Sequence, residues 1–479
     1  MAFESYRRLL KIPGVPTLLL VGLLARVPTT ATGMALTLHV AVVMGLDFIP
    51  AGAITAASTI GNAIGSPLMG RMVDKYGLRP VLIITTIAQA VFWSCAWSLP
   101  YWALVVTAVL AGLLALPVFS VTRQCLVALV PVEQRRTGFA LDSMLVEVSY
   151  MVGPALASVG IVTLGSGVTF LGIGVGLTVA GLGLILLNPP TRSAEELGEQ
   201  GQRVPRRQWL TPSFVALLGT TAAATFVLTA SELSLIATME HAGETAWVGL
   251  AVAVWCVYSL VGGFVYGGLS RGFSPLLLIG AMGLLTIPVG LVDGGWQWVV
   301  LALLPAGLVC APSLSSTVDV LSRWVPSAAR GEAMGLHGTA LLIGGAISAP
   351  IAGAVIDSMG PSWAFAVAGL VAVLMVLAAL PFWRSRPRPA PSPTTPSSPG
   401  PSSAVPGAAV PAPIVPAPPV DTPAAPTSAV PAPAEPTPAV PVAAALAPRG
   451  PDPAGPAPAA PAPTAEAAES AVAAGAPGE

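Results

Sequence analysis

Residues 117–141, PVFSVTRQCLVALVPVEQRRTGFAL, lie over residues 312–336, PSLSSTVDVLSRWVPSAARGEAMGL, without a gap. Eight of these 25 positions are identical: Pro117/Pro312, Ser120/Ser315, Thr122/Thr317, Leu126/Leu321, Val130/Val325, Pro131/Pro326, Arg135/Arg330 and Leu141/Leu336. Shared apolar composition inflates such matches, but aligned prolines and a paired loop arginine do not follow from apolarity. Each copy ends one apolar run, turns through a short polar loop and begins the next. The chain therefore carries a parallel internal repeat.

The surroundings identify the medium. Of 479 residues 54% are hydrophobic and 9% charged, and the mean hydropathy is +0.79, whereas soluble domains carry about 25% charge. The apolar runs are repeatedly of the length that crosses ~30 Å of hydrocarbon. They fall at about 15–41, 49–70, 79–98, 102–129, 138–162, 166–187, 212–238, 246–266, 275–292, 296–320, 331–356 and 362–383. A bilayer offers no water to unpaired backbone groups, so twelve transmembrane helices are predicted, an all-α integral membrane protein. The basic start (Arg7, Arg8, Lys11) imitates a secretory signal, but its apolar run continues past signal length and eleven spans follow. Of the 21 Lys and Arg residues only Lys11 and Lys75 are lysine, a bias that points to a GC-rich, bacterial genome. Cys95, Cys125, Cys256 and Cys310 all lie in apolar runs. They read as buried thiols, with no metal site and no disulfide framework.

Loop charge orients the spans. With the N-terminus inside, the even-numbered connections carry Arg71, Lys75 and Arg79; Arg135 and Arg136; Arg192, Arg203, Arg206 and Arg207; Arg271; and Arg323 and Arg330. The odd-numbered ones carry no Lys or Arg, only acids such as Asp47, Glu240 and Asp293. The positive-inside rule then places both termini in the cytoplasm of a cell whose plasma membrane holds the protein. The longest internal loop, 188–211, separates a six-helix bundle at 1–187 from a second at 212–383, and a parallel repeat relates such bundles by an axis along the membrane normal. Residues 384–479 are dominated by Pro, Ala, Ser and Thr. They read as a disordered cytoplasmic tail that cannot bury enough apolar area to fold.

Between the second and third spans stands GRMVDKYGLRP (70–80), four charges in a chain that has few. Twelve spans, a six-plus-six repeat and this segment resemble the major facilitator superfamily over about residues 5–383. Gly70, Asp74, Lys75, Gly77 and Arg79 match the superfamily's loop 2–3 signature, while Leu78 stands where a base is usual. The counterpart GGLSRG (267–272) is degenerate. In SYMVGPALAS (149–158), Gly153 and Pro154 match the superfamily's antiporter motif, with Ser149, Ala157 and Ser158 replacing glycines. Close helix packing through small residues accounts equally for that stretch. The outline is also similar to bacterial drug and sugar efflux permeases.

Ionisable residues inside spans cost ~2.5–3.5 kcal/mol on insertion scales and mark function or a structural ion pair. Arg26 lies ~18 Å into span 1 and Glu147 ~15 Å into span 5 from the same side. The resemblance implies that these helices meet, so an Arg26–Glu147 pair is predicted. Arg123 in span 4 is the alternative partner for Glu147 or for the shallower Asp142. A buried carboxylate beside an arginine is a candidate proton-coupling site; a permanent bridge is the structural alternative. Thr221, Thr225, Thr229 and Glu232 share one face of span 7, and Arg26, Thr30, Gly33 and Thr37 one face of span 1. These stripes line a cavity or bond to carbonyls of their own helices. Asp319 and Glu332 read as interfacial, His337 as structural, and His39 and His241 as interfacial or external.

The resemblance implies alternating access, with residues 70–79 acting as a conformational gate. The expected function is a secondary active transporter exporting a small organic molecule by proton antiport, as a monomer in the lipid bilayer and without a cofactor. Uptake or facilitated diffusion is the alternative, and a transporter-like receptor or scaffold another. No phosphate-cradling loop, paired metal-ligand spacing or nucleophile with a base suggests an enzyme, and nothing suggests nucleic-acid binding.

Overall fold

The computed structural model describes residues 2–193, 196, 204–244, 247–269, 271–292 and 294–384. All regular structure among them is helical. The residues read as a disordered tail lie outside the described residues, apart from Arg384 at the end of the last helix.

Before the 188–211 connection come α1 (Ala2–Leu10), α2 (Val15–Leu38), α3 (Phe48–Tyr76), α4 (Leu78–Cys95), α5 (Tyr101–Leu113), α6 (Val118–Leu129) and α7 (Arg135–Leu187). In that connection stands α8 (Arg206–Trp209). The later set is α9 (Pro212–His241), α10 (Val248–Gly268), α11 (Pro275–Thr286), α12 (Trp296–Ala302), α13 (Leu304–Trp324), α14 (Arg330–Met359) and α15 (Pro361–Arg384). Nine helical stretches of the described residues are long and apolar enough to cross a membrane. One of them is α7, 53 residues long, which is folded back on itself. Gly165 (φ 80°, ψ 166°) leaves the helical region inside it. A β-carbon on Gly160 would meet Thr169 Oγ1 at 2.8 Å, whereas nine residues of straight helix span ~13 Å.

Local chemistry sets the boundaries. Proline opens α2, α9 and α11, where its missing N–H costs no intrahelical bond. Thr211 caps α9 by accepting from the Phe214 N–H at 3.3 Å. The fourth span breaks between α5 and α6 at Leu114–Pro117, and Gln89 Nε2 donates to the Ala111 and Leu114 carbonyls at 2.8 and 3.2 Å. A carbonyl left bare in hydrocarbon would cost several kcal/mol. Its repeat partner Pro312 lies inside the continuous α13.

The surface is inverted relative to a soluble protein. Leu20, Leu24, Ile83, Ile87, Leu277 and Leu374 are exposed along helix flanks. Trp97, Trp102, Trp247, Trp298 and Trp363 are exposed at helix ends on one side, the arrangement of an interfacial aromatic belt. The opposite side carries the arginine-rich loops and is called the basic face below.

Apolar packing divides the molecule unequally. At the basic face one cluster joins Met69, Val73 and Phe139 of the early helices to Phe214, Val318 and Met334 of the late ones. Towards the other face the clusters separate, one confined to residues 31–177 and another to residues 235–365. The two helix sets therefore meet at the basic face and diverge away from it.

Gly153 sits in a close contact between α2 and α7. A β-carbon there would run into Thr30 Oγ1 and the Val27 carbonyl. Ser149 and Ala157, also buried, extend the same small-residue seam. Gly153→Val is expected to lower stability by about 1–3 kcal/mol through overpacking, read as an earlier thermal unfolding midpoint in detergent.

Candidate functional site: the seam between the helix sets

The seam begins where α3 meets α14. A β-carbon on Gly70 would overlap the Gly331 carbonyl, so two glycines let these backbones touch. One turn on, Asp74 accepts from the N–H groups of Gly331 at 3.0 Å and Glu332 at 2.9 Å, and from Gln124 Nε2 at 3.0 Å. The first N–H groups of a helix have no intrahelical acceptor and carry positive partial charge, so a carboxylate belongs there. Asp74 lies beyond the membrane-length part of the 29-residue α3, which at ~43 Å overruns the ~30 Å hydrocarbon core. Burial pushes its carboxyl up to about 6 against the pull of those donors, so it is ionised at neutral pH. Ser66 Oγ donates to the Gly335 carbonyl at 3.1 Å, and Thr339 to that of Ala63 at 2.6 Å.

The 188–211 connection is tied into the same contact. Glu332 accepts from Arg206 Nε at 2.7 Å, Arg330 pairs with Glu196 at 2.8 Å, and Arg192 donates to the Asp74 carbonyl at 3.1 Å. Lys75 turns instead to the Tyr76 hydroxyl, and Arg79 to the Ile185 carbonyl. Gly77 (φ 86°) is the turn between α3 and α4.

A second contact mirrors the first. Arg136 and Thr137, at the start of α7, occupy the repeat positions of Gly331 and Glu332. Thr137 Oγ1 donates to the Gly267 carbonyl at 2.7 Å, and Arg136 donates to that of Leu269. Here side chains supply the donors because no carboxylate stands in the α10 end. Tyr6 of α1 adds its hydroxyl against the Gly263 and Phe264 carbonyls, both at 3.1 Å, and stacks on the Phe264 ring at 5.0 Å.

Deeper in the seam lie the intramembrane charges. Arg26 Nη2 reaches Asp142 at 2.5 Å, and Arg123 Nε reaches the other carboxylate oxygen at 3.1 Å. All three are buried. Arg123 Nη1 faces His337 Nδ1 at 3.4 Å, and Thr317 Oγ1 faces His337 Nε2 at 2.8 Å. This polar chain crosses from one helix set to the other. Glu147 is separate: its carboxylate accepts from the Ser259 hydroxyl of α10, with Cys310 of α13 at 3.9 Å.

The Major Facilitator Superfamily profile matches residues 18–308 and 248–432. The chain belongs to the Major Facilitator Superfamily. Its members are transporters and not enzymes. No curated protein matches the sequence. The fold is similar to that of the human organic anion transporter MFSD10 (TETRAN), at 16% identity and TM-score 0.62, covering 78% of this chain and 99% of that one. It is also similar to the proton:xylose symporter XylE, at 14% identity and TM-score 0.60, covering 77% and 96%. A bacterial homologue of the iron transporter ferroportin in its outward-facing state gives 17% identity and TM-score 0.59, covering 78% and 99%. At such identities the likeness is one of fold.

For this superfamily member, one expected contact changes and one open reading is decided. Arg26 pairs with Asp142 and not with Glu147. The long Arg26 side chain reaches back towards the basic face to Asp142, five residues before Glu147 on α7. The threonine stripe of α9 does not line a cavity at Thr221 and Thr225. Both bond to carbonyls of their own helix, and a β-carbon on Gly344 of α14 would meet Thr225. On α2, Thr30 donates to the Ser149 carbonyl at 2.6 Å and Thr37 bonds Thr55. Glu232 is exposed on α9 and takes part in none of the ion pairs. Asp319 pairs with Arg323 on its own helix. The residues that sequence reasoning misses are Ser259, Gln124 and Tyr6; each is an ordinary residue made important by its partner across the seam. Asp142→Asn, which leaves two buried guanidiniums without a carboxylate, is expected to cost about 3–5 kcal/mol, measured by thermal unfolding.

Proposed function

We propose that this protein is a secondary active transporter working by alternating access, and that it exports a small organic molecule in exchange for protons. The joined core at the basic face, with separate cores towards the other face, carries the reading. Two bodies that touch at one end and keep independent interiors can exchange that contact for one at the other end. Residues 1–187 and 212–383 are the two bodies, and the crossings number twelve: the nine apolar stretches, the second arm of α7, α3 and α11. With the basic face in the cytoplasm of a bacterial cell, by loop charge, the conformation described is closed inside and open outside. The protein acts as a monomer, since each body already has its partner within the chain.

Asp74 is the latch of the closed state. Helix-end hydrogen bonds to a charged group contribute about 1.5–3 kcal/mol each, so Asp74→Asn moves the equilibrium towards the inward-open form and slows turnover without abolishing substrate binding. Spin labels at the exposed Tyr76 and Pro326, as cysteines, should report a longer-distance population in that variant. An unchanged distance distribution would reduce the segment to a topology anchor.

Glu147 is the proton carrier. It sits between the bodies, and among the described residues its partners are a hydroxyl and a thiol, with no guanidinium in an ion pair with it. Its protonation is therefore free to follow the opening of the seam. The antiporter-like Gly153 and Pro154 favour exchange over symport. In proteoliposomes, Glu147→Gln is expected to abolish transport driven by an imposed pH gradient while leaving the folded yield unchanged. Undiminished gradient-driven flux rules the residue out, and flux down the proton gradient in the same direction favours uptake.

A further inference from the structure

Arg26 and Arg123 share a single carboxylate, that of Asp142. The neighbouring histidine adds no negative charge and no proton. A guanidinium offers only donors, so His337 Nδ1, 3.4 Å from Arg123 Nη1, is the acceptor. The Thr317 hydroxyl gives its proton to the Leu314 carbonyl at 2.7 Å, so it accepts from His337 Nε2–H at 2.8 Å. The ring is then neutral. Glu147 does not balance the group either, for its oxygen contacts are Ser259 and Cys310. The cluster holds two positive charges and one negative, an excess of one cation at membrane depth.

The excess has a direction. Arg26 is 0% exposed, yet its Nε and Nη1 have no hydrogen-bond partner among the described residues. Its guanidinium lies 5.3 Å from the Phe119 ring centroid, and Phe119 lies 6.4 Å from the ring of Tyr150. Tyr150 is 56% exposed, the most exposed member of the group. Buried charge is ordinarily paired, and among the described residues the partner is missing.

We propose that the transported molecule is a small organic anion, whose negative group supplies the missing counter-charge at Arg26, Arg123 and Tyr150. Phe119 and Tyr150 offer its body two aromatic faces. A cation at the same place would meet an uncompensated positive charge in a low-dielectric wall. The assignment rests on the transporter reading above and names its substrate class.

The test uses the full chain in detergent with three probes of one shape: benzoate, benzamide and benzylammonium. Benzoate near saturation is expected to raise the melting temperature by about 2–5 °C, with little response to the other two. Arg26→Gln leaves a balanced Arg123–Asp142 pair and so retains the fold, and it weakens benzoate binding by about tenfold or more. Arg26→Lys, which keeps the charge, retains most of the binding. No response to benzoate, equal stabilisation by benzylammonium, or unchanged benzoate affinity in Arg26→Gln overturns the assignment. The Tyr76/Pro326 label pair is read on the same samples. A pair that samples two distances without a benzoate response rejects the anion and leaves the transporter standing. A pair fixed at one distance under every condition rejects the transporter reading itself.

Discussion

The closed end of this molecule depends on two glycines facing each other. Gly70 and Gly331 bring the α3 and α14 backbones so close that a β-carbon on either would overlap its neighbour. Only at that separation can the short Asp74 side chain reach two bare N–H groups at the start of α14. Charge and packing are thus one constraint. The carboxylate needs the helix end for its solvation, and the helix end needs an acceptor once water is squeezed out. Arg206 and Arg330 then draw Glu332 and Glu196 onto the same patch, tying the 188–211 connection to the state of the seam.

The mirrored contact explains why the closure is even. The starts of α7 and α14 are repeat equivalents, and each seats its first turn on the end of a helix from the other set. Because α10 ends in GGLSRG and lacks a carboxylate, the second contact uses Arg136 and Thr137 as donors to backbone carbonyls. The first contact pairs charge with a helix end; the second pairs side-chain donors with carbonyls. They differ in pH response while sharing geometry, so closure does not hang on one titrating group.

Much of the fold was legible in the sequence, because lipid demands long apolar helices and loop charge alternates. The repeat between 117–141 and 312–336 gave the relation of the two halves. The site was legible in its residues more than in its pairings. Arg26, Arg123, Asp142 and Glu147 stand out simply as charges in apolar runs. Which carboxylate Arg26 meets depends on how far its long side chain reaches along the helix, which a count of backbone depth does not include. Ser259 and Cys310 carry no signal at all, since serine and cysteine are common in membrane helices and only the crossing of α7 with α10 and α13 makes them partners. The Thr221 and Thr225 stripe stayed open between two readings for a related reason. A polar face on a helix shows that something must satisfy it, and here the helix's own carbonyls do.

The two carboxylates of the early set consequently occupy different electrostatic roles. Asp142 is locked between two guanidiniums, and protonating it would leave both unpaired in a medium that penalises charge severely. Glu147 has neutral partners only, so gaining a proton removes a buried charge instead of exposing one. Asp142 is the fixed point that holds Arg26 and Arg123 together. Through Arg123 and His337 it also reaches the late helices, so separating the helix sets must break that link as well as the Glu147–Ser259 bond. The charge cluster and Glu147 are therefore both tied into the seam through contacts between the two helix sets.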